Sequence, residues 1–359
     1  LSVTVGASRP LPAPSSGPLL GLSGLVLGLV AMLALREAAS LVVPVLFGLF
    51  FALATWPLVV ALERRRVPAS FALLVPILVV IALAVITGAV VAISIGELVV
   101  RVPQYEDRLV AQVDDVQELL AQYGLSLDAA AIISVISPER IAEFVRMLAS
   151  AISGATMSVF VMAFTMIYAL VGASSLQSRA QLAFGPQSAL VRSFAQFGVD
   201  LRRYLIVRAL LGLFAAVLAF LLLLVLRVPL PFLWTVLVFA ASFVPNVGTI
   251  VALIPPMILA FLDNGAGAAL LVVVGYALIN IAQDSVLQPV VLGSELNLST
   301  LSVFIAVIAW AWVLGVGGAL LAVPLTIGLV ELLEAAPSTQ GLAGLLRNRP
   351  VPTAKQAAG

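Results

Sequence analysis

Residues 243–265 read FVPNVGTIVALIPPMILAFLDNG, and the fold turns on how this stretch is folded. It is almost wholly apolar, yet Pro245, Gly248, Pro255 and Pro256 interrupt it. The surrounding apolar run, Phe232 to Leu262, has 31 residues. As one straight helix it would be about 46 Å long, against roughly 30 Å for a bilayer's hydrocarbon core. Either it is strongly tilted or its breaks fold it back. Inside a membrane, broken backbone persists only where protein or a water-filled cavity satisfies its polar groups. The stretch therefore points to a solute-handling centre.

The rest of the composition agrees. The chain has 359 residues, 62% hydrophobic and 10% charged, with a mean hydropathy of +1.20. Soluble domains carry about 25% charged residues, so the expected class is all-α: a polytopic membrane protein with about eight hydrophobic segments. The net charge of +1 is no footprint for nucleic acid. Neither cysteine nor histidine occurs, which removes disulfides, thiolate metal sites, the usual proton shuttle and the HExxH motif. GxxxxGK[ST] and GxSxG are also absent. The reading is non-enzymatic, with no cofactor and no metal, and any concentrative step must draw on a gradient.

Working outward, residues 1–18 read as a disordered tail and 19–96 as three membrane helices. Residues 97–150, with nine acids and four arginines, read as an amphipathic extramembrane segment. Residues 151–208 hold a fourth span and a basic amphipathic segment expected on the cytoplasmic membrane surface. Residues 209–334 form the transport core and 335–359 a polar tail. Glu63-Arg64-Arg65-Arg66 marks a cytoplasmic loop. With both termini cytoplasmic, arginine-rich segments fall inside and the acidic segment outside. This holds whether the two over-long segments, 232–262 and 301–333, cross once or form re-entrant hairpins. Gly24 and Gly28 have GxxxG spacing, which chance explains among 26 glycines.

A second broken segment echoes the first. Gly248 precedes Pro255 by seven residues, and Gly317, beside Gly315 and Gly318, precedes Pro324 by seven. Paired interruptions are the sequence pointer to inverted-repeat transporters. Between them lies a helix with a polar face: Asn280, Gln283, Asp284 and Gln288. A carboxylate at a span centre is costly and marks a pathway or a partner. The candidate pathway thus comprises Pro245, Asn246, Gly248, Asn280, Gln283, Asp284, Gln288, Gly315, Gly317, Gly318 and Pro324. Its expected partners are the lipid bilayer, a small polar solute, and H⁺ or Na⁺.

FVPNVGTIVALIPP, then QDSVLQPVVLGSELNLS, then GVGGALLAVPLT together resemble the autoinducer-2 exporter (AI-2E) family. The resemblance implies an integral protein of the bacterial cytoplasmic membrane that assembles as a homo-oligomer, with pentamers associated with the family. It also implies export of autoinducer-2 or another small polar solute. Some relatives are regarded as Na⁺(Li⁺)/H⁺ antiporters, an alternative that needs titratable groups in the membrane. A passive channel or a membrane scaffold is the alternative of another class. Relatives often carry Leu-His-Pro where this chain has Leu298-Ser299-Thr300. Asp284 stands where they often carry Glu, and Trp310 and Trp312 replace small residues.

Overall fold

The computed structural model describes residues 17–122, 138–185, 188–245, 247–283, 299–335 and 339–347. Its elements are helices: α1 (Gly17–Glu37), α2 (Ala39–Arg64), α3 (Ala69–Ala121), α4 (Pro138–Phe184), α5 (Ala189–Val225), α6 (Pro231–Ala241), α7 (Gly248–Ile281), α8 (Thr300–Leu320), α9 (Ala322–Ala335) and α10 (Gln340–Leu346). No strand occurs among the described residues. By length and composition five helices could cross a membrane, namely α2, residues 69–101 of α3, residues 191–225 of α5, α7 and α8, of which glycines break the last two. Large apolar side chains such as Ile86, Ile93 and Val100 lie on the outer surface. In water that surface would drive association; in a bilayer it faces acyl chains. The protein is an all-α polytopic membrane protein.

Several elements are longer than the spans read from hydropathy. α3 runs unbroken across position 97 and α4 across position 151. Each joins an apolar and a polar stretch of sequence in one rod. Leu98, Tyr105, Leu109 and Val113 use a helical stripe to pack the far half of α3 against α6 and α7. The basic segment expected on the membrane surface spans the end of α4 and the first half of α5. Leu201 and Tyr204 there are buried, because that face packs on α2 and α9 rather than on lipid headgroups.

Both over-long segments fold back. α6 runs inward and ends at Ala241, and the chain turns through 242–247 before α7 begins at Gly248. Asn264 Nδ2 donates to the Leu226 carbonyl at 3.1 Å, so the returning arm ends beside the start of α6. Gly265 (φ 84, ψ 179) then reverses the chain again inside α7; that backbone region is essentially restricted to glycine. Thr249 Oγ1 donates to Asn280 Oδ1 at 3.0 Å, although a straight helix would hold the pair about 46 Å apart. In the second segment Gly315 (φ 66, ψ −150) breaks α8. Trp310 Nε1 reaches Thr326 Oγ1 across the resulting hairpin at 3.2 Å.

Candidate functional site

The tip of the first hairpin exists because backbone approaches backbone there. A side-chain carbon on Gly248 would collide with the Ala241 carbonyl, the last residue of the opposing arm. The matching contact in the second hairpin is Gly318 against the Trp310 carbonyl. Each over-long segment thus places a glycine where its returning arm crosses the outgoing one. Gly317, one residue earlier, faces Val43 of α2. Pro324 is buried in α9.

Behind the first tip lies a cavity of about 30 Å³, room for one or two waters. Its polar lining is Ser242, Thr249, Tyr276, Asn280 and Gln283, and Ala215, Ala219 and Ala252 form part of its apolar wall. Gln283 is 6% exposed, and the Tyr276 hydroxyl has no hydrogen-bond partner among the described residues. These are neutral donors and acceptors held by packed helices, suited to a small polar molecule rather than to a metal ion. No metal-sized group of acidic residues occurs among the described residues.

Depth can be read along α5. Ser242 and Phe239, at the first tip, press on Gly212. Arg202 Nε donates to the Leu53 carbonyl at 3.3 Å, which aligns α5 with α2. Ten residues from that level, about 15 Å at the helical rise, stand Gly212 on α5 and Val43 on α2. Val43 is the residue that Gly317 touches. The two tips therefore reach about the same depth. The first hairpin is rooted at the end where Arg108 pairs with Asp263. The second is rooted at the opposite end, where Arg347 bridges Glu331 and Glu334 at 2.7 Å each.

Those two ion pairs fasten the hairpin bases. Asp263 and the pair Glu331 and Glu334 are the acidic halves of these clamps. Beside Asp263, Tyr105 is 2% exposed. Its burial, reinforced by the Asp263 charge and opposed by Arg101 and Arg108, pushes its phenol up to about 12.

Of the residues expected in the pathway, the structure brings Gly248, Asn280 and Gln283 together at the first tip, with Pro245 in the turn. Gly315, Gly317 and Gly318 form the second. Asn246, Asp284 and Gln288 lie outside the described residues. The cavity also contains Thr249, Tyr276 and Ser242, which carried no motif. Above all, sequence reasoning placed Arg208 at the end of a basic amphipathic surface segment, whereas it is 7% exposed and lies 17 residues before the end of α5, roughly 26 Å along the helix. The available signal was the stripe Tyr204, Arg208, Gly212, Ala215, Ala219, whose small members announce close helix packing on the arginine's own face.

The AI-2E family transporter profile matches residues 22–338. The chain belongs to the AI-2E transporter family. AI-2 transport protein TqsA of Escherichia coli (strain K12) is 30% identical over 316 residues, covering 86% of this chain and 92% of that protein. YhhT of the same strain, named for transport with no substrate stated, is 30% identical over 309 residues, 86% of this chain and 87% of its own. A Haemophilus influenzae protein, likewise named for transport alone, is 31% identical over 315 residues, 86% of this chain and 90% of its own. An AI-2E transporter is a multi-pass membrane protein of a bacterial transport family, and nothing in these names points to an enzyme. The two hairpins lie within the matched region.

Proposed function

We propose that this AI-2E protein is a secondary transporter of the bacterial cytoplasmic membrane that exports a small polar solute, driven by an ion gradient. One observation carries the reading. Two Gly/Pro-broken hairpins, rooted at opposite ends of the molecule, bring their tips to one depth beside a polar cavity. Half-spanning hairpins of this kind put freed backbone groups at the bilayer midplane, where transporters bind solute. The hairpins then form an inverted repeat, and alternating access moves that unit against the remaining helices. Autoinducer-2 is the first candidate solute, since TqsA is named for AI-2 transport. Asn280 and Gln283 bind the solute's polar groups, joined by Asn246 and Gln288. Asp284, the one acid in 264–294, couples the movement to H⁺ or Na⁺. Both termini face the cytoplasm, and the assembly is a homo-oligomer, a pentamer by family resemblance.

Reconstitution in proteoliposomes tests this. Efflux of autoinducer-2 is expected to saturate with concentration and to accelerate under an imposed pH or Na⁺ gradient. Asp284→Asn is expected to abolish that acceleration while insertion and assembly persist. An ohmic current instead of saturable flux would make the protein a channel. Flux indifferent to both gradients, or unchanged in the Asp284→Asn protein, would refute the coupling.

A further inference from the structure

A hydroxyl in an apolar helix usually satisfies itself on the preceding turn. Those of Thr55, Thr165, Thr235, Ser242 and Thr326 do so, each donating to the carbonyl four residues back. Thr249 departs from this. It is the second residue of α7, so the turn behind it is the hairpin tip itself, where the Val247 N–H already takes the Pro245 carbonyl. Its hydroxyl crosses instead to Asn280 Oδ1 at 3.0 Å.

That bond joins two parts of the chain that must separate for the site to open. Thr249 belongs to the first hairpin, and Asn280 to the span that follows Gly265. Among the described residues one other hydrogen bond leaves the tip, from the Tyr204 hydroxyl to the Phe243 carbonyl at 3.5 Å, which is long for such a bond. The cavity face beside Asn280 meanwhile holds open groups. Gln283 lines it, is 6% exposed and makes no hydrogen bond among the described residues. The Tyr276 hydroxyl, one turn before Asn280, also has no partner there. Buried groups of this kind cost stability until a ligand or water meets them. Asn280 Oδ1 is met already, and what meets it is the protein's own Thr249.

We propose that the Thr249–Asn280 bond is a latch on the first hairpin which the solute opens by exchange: a donor group of the solute, O–H or N–H, takes the place of the Thr249 hydroxyl on Asn280 Oδ1. The proposal rests on the transport reading for its solute and on the structure for its latch. A cavity of about 30 Å³ is too small for an organic solute, so the tip must withdraw, and withdrawal parts Thr249 from Asn280. In an empty site that leaves Asn280 Oδ1 bare, whereas a bound solute replaces the lost bond. The latch thereby holds the tip closed until a solute arrives. Thr249 is a positioning residue, acting through Asn280.

The chain has no cysteine, so Ser242→Cys gives a single thiol at the tip, where residue 242 presses on Gly212. Its labelling by a charged, membrane-impermeant methanethiosulfonate reports tip opening in the full chain in nanodiscs. In this background Thr249→Val, which keeps the shape and loses the donor, is expected to raise the labelling rate about fivefold, the equivalent of one neutral hydrogen bond. Thr249→Ser, which keeps the donor and loses the methyl, is expected to label at the parental rate, and so separates the bond from packing. Autoinducer-2 is the probe solute. It is expected to speed labelling saturably, with a half-maximal concentration about fivefold lower in the Thr249→Val protein, because a larger share of that protein is already open. A residue that merely touched the solute would raise that concentration on substitution. The proposal is overturned by an unchanged labelling rate in Thr249→Val, or by an equal rise in Thr249→Ser. It is also overturned by a half-maximal concentration that is unchanged or higher in Thr249→Val, or by no response to autoinducer-2 in either protein. Efflux from parallel liposomes keeps the two readings apart. Saturable, gradient-driven efflux with parental labelling in Thr249→Val sinks the latch alone. Faster labelling and the lower half-maximal concentration without any efflux sink the transport reading alone.

Discussion

Gly248→Ala tests the hairpin architecture at its tightest point. The added methyl would meet the Ala241 carbonyl oxygen and carbon and approach the Ala241 Cα. All three are backbone atoms, so no side-chain rotation relieves the clash; one arm must shift. Over-packing of this kind costs about 1–3 kcal/mol. In soluble domains of 150–250 residues each kcal/mol moves the melting temperature by about 2–4 °C. The expected loss is therefore a few degrees, read by intrinsic fluorescence of the detergent-solubilised protein. Gly28→Ala is the control, because nothing lies within 4 Å of the position its methyl would take, and alanine is the better helix former by about 1 kcal/mol. It should be neutral or stabilising. The shift at the tip should also slow transport, since Thr249 is the next residue and its bond to Asn280 defines one wall of the cavity. A Gly248→Ala protein that melts and transports like the parent would refute the crossing of the arms.

Other perturbations probe the remaining parts. Gly318→Ala should behave like Gly248→Ala, because its methyl would strike the Trp310 carbonyl; a neutral result in a melting assay would argue that the second hairpin is open. Gly315→Ala forces an L-residue to φ 66, ψ −150, a strain of about 1–3 kcal/mol, visible as a lower melting temperature. Arg347→Ala leaves Glu331, whose side chain is 9% exposed, without its 2.7 Å partner; that should destabilise by about 1–3 kcal/mol and free α10 for limited proteolysis. For Tyr105 the fold favours the neutral phenol, so its contribution is whole below the ordinary value near 10 and is lost as pH rises through about 12. Tyr105→Phe should remove that component, narrowing the stability drop over this window in pH-dependent melting curves.

Part of this architecture is legible in the amino-acid sequence and part is not, for reasons that individual residues make plain. The fold-back of 232–262 is one of only two options the chain leaves open, because length is a strict constraint: 31 apolar residues overshoot the hydrocarbon core. A glycine at the first crossing is legible because close approach admits only a hydrogen in place of a side chain, whereas the crossing glycine of the second hairpin is Gly318, one residue beyond the Gly317 that the seven-residue spacing singles out. α3 is not legible as one helix of 53 residues, since hydropathy falls after Ile95 while helical periodicity continues through Leu109 and Val113. Arg208 is misplaced for a related reason. Charge counting treats the arginines of one polar stretch as one surface segment, whereas α5 runs unbroken from Ala189 to Val225 and buries its last arginine beside Tyr204. Thr249 and Tyr276 give no signal, because an isolated hydroxyl in an apolar helix satisfies itself on the preceding turn as often as it meets a ligand.

The geometry also constrains how the protein would move. The cavity is too small for an organic solute, since binding pockets for such molecules are about 300–1,000 Å³. A bound solute therefore requires one tip to withdraw. The first hairpin is fixed at its base, where Arg108 grips Asp263 and Asn264 bonds to the Leu226 carbonyl. Its free end is the turn at 242–247, held by the small-residue contact with Gly212 and the Tyr204–Phe243 bond at 3.5 Å. The second hairpin repeats the arrangement from the other end, with Arg347 at its base and Gly315 at its tip. Strong charged contacts at the roots and weak neutral ones at the tips favour hinging at each tip in turn. Asp263→Asn separates the two kinds of contact: it should loosen the first root and raise uncoupled leak of a polar solute, leaving the tip contacts and the cavity lining unchanged. If leak stays at the parental level while Arg108 is freed, the roots are not what holds the hairpins in register, and the tip packing alone must do so.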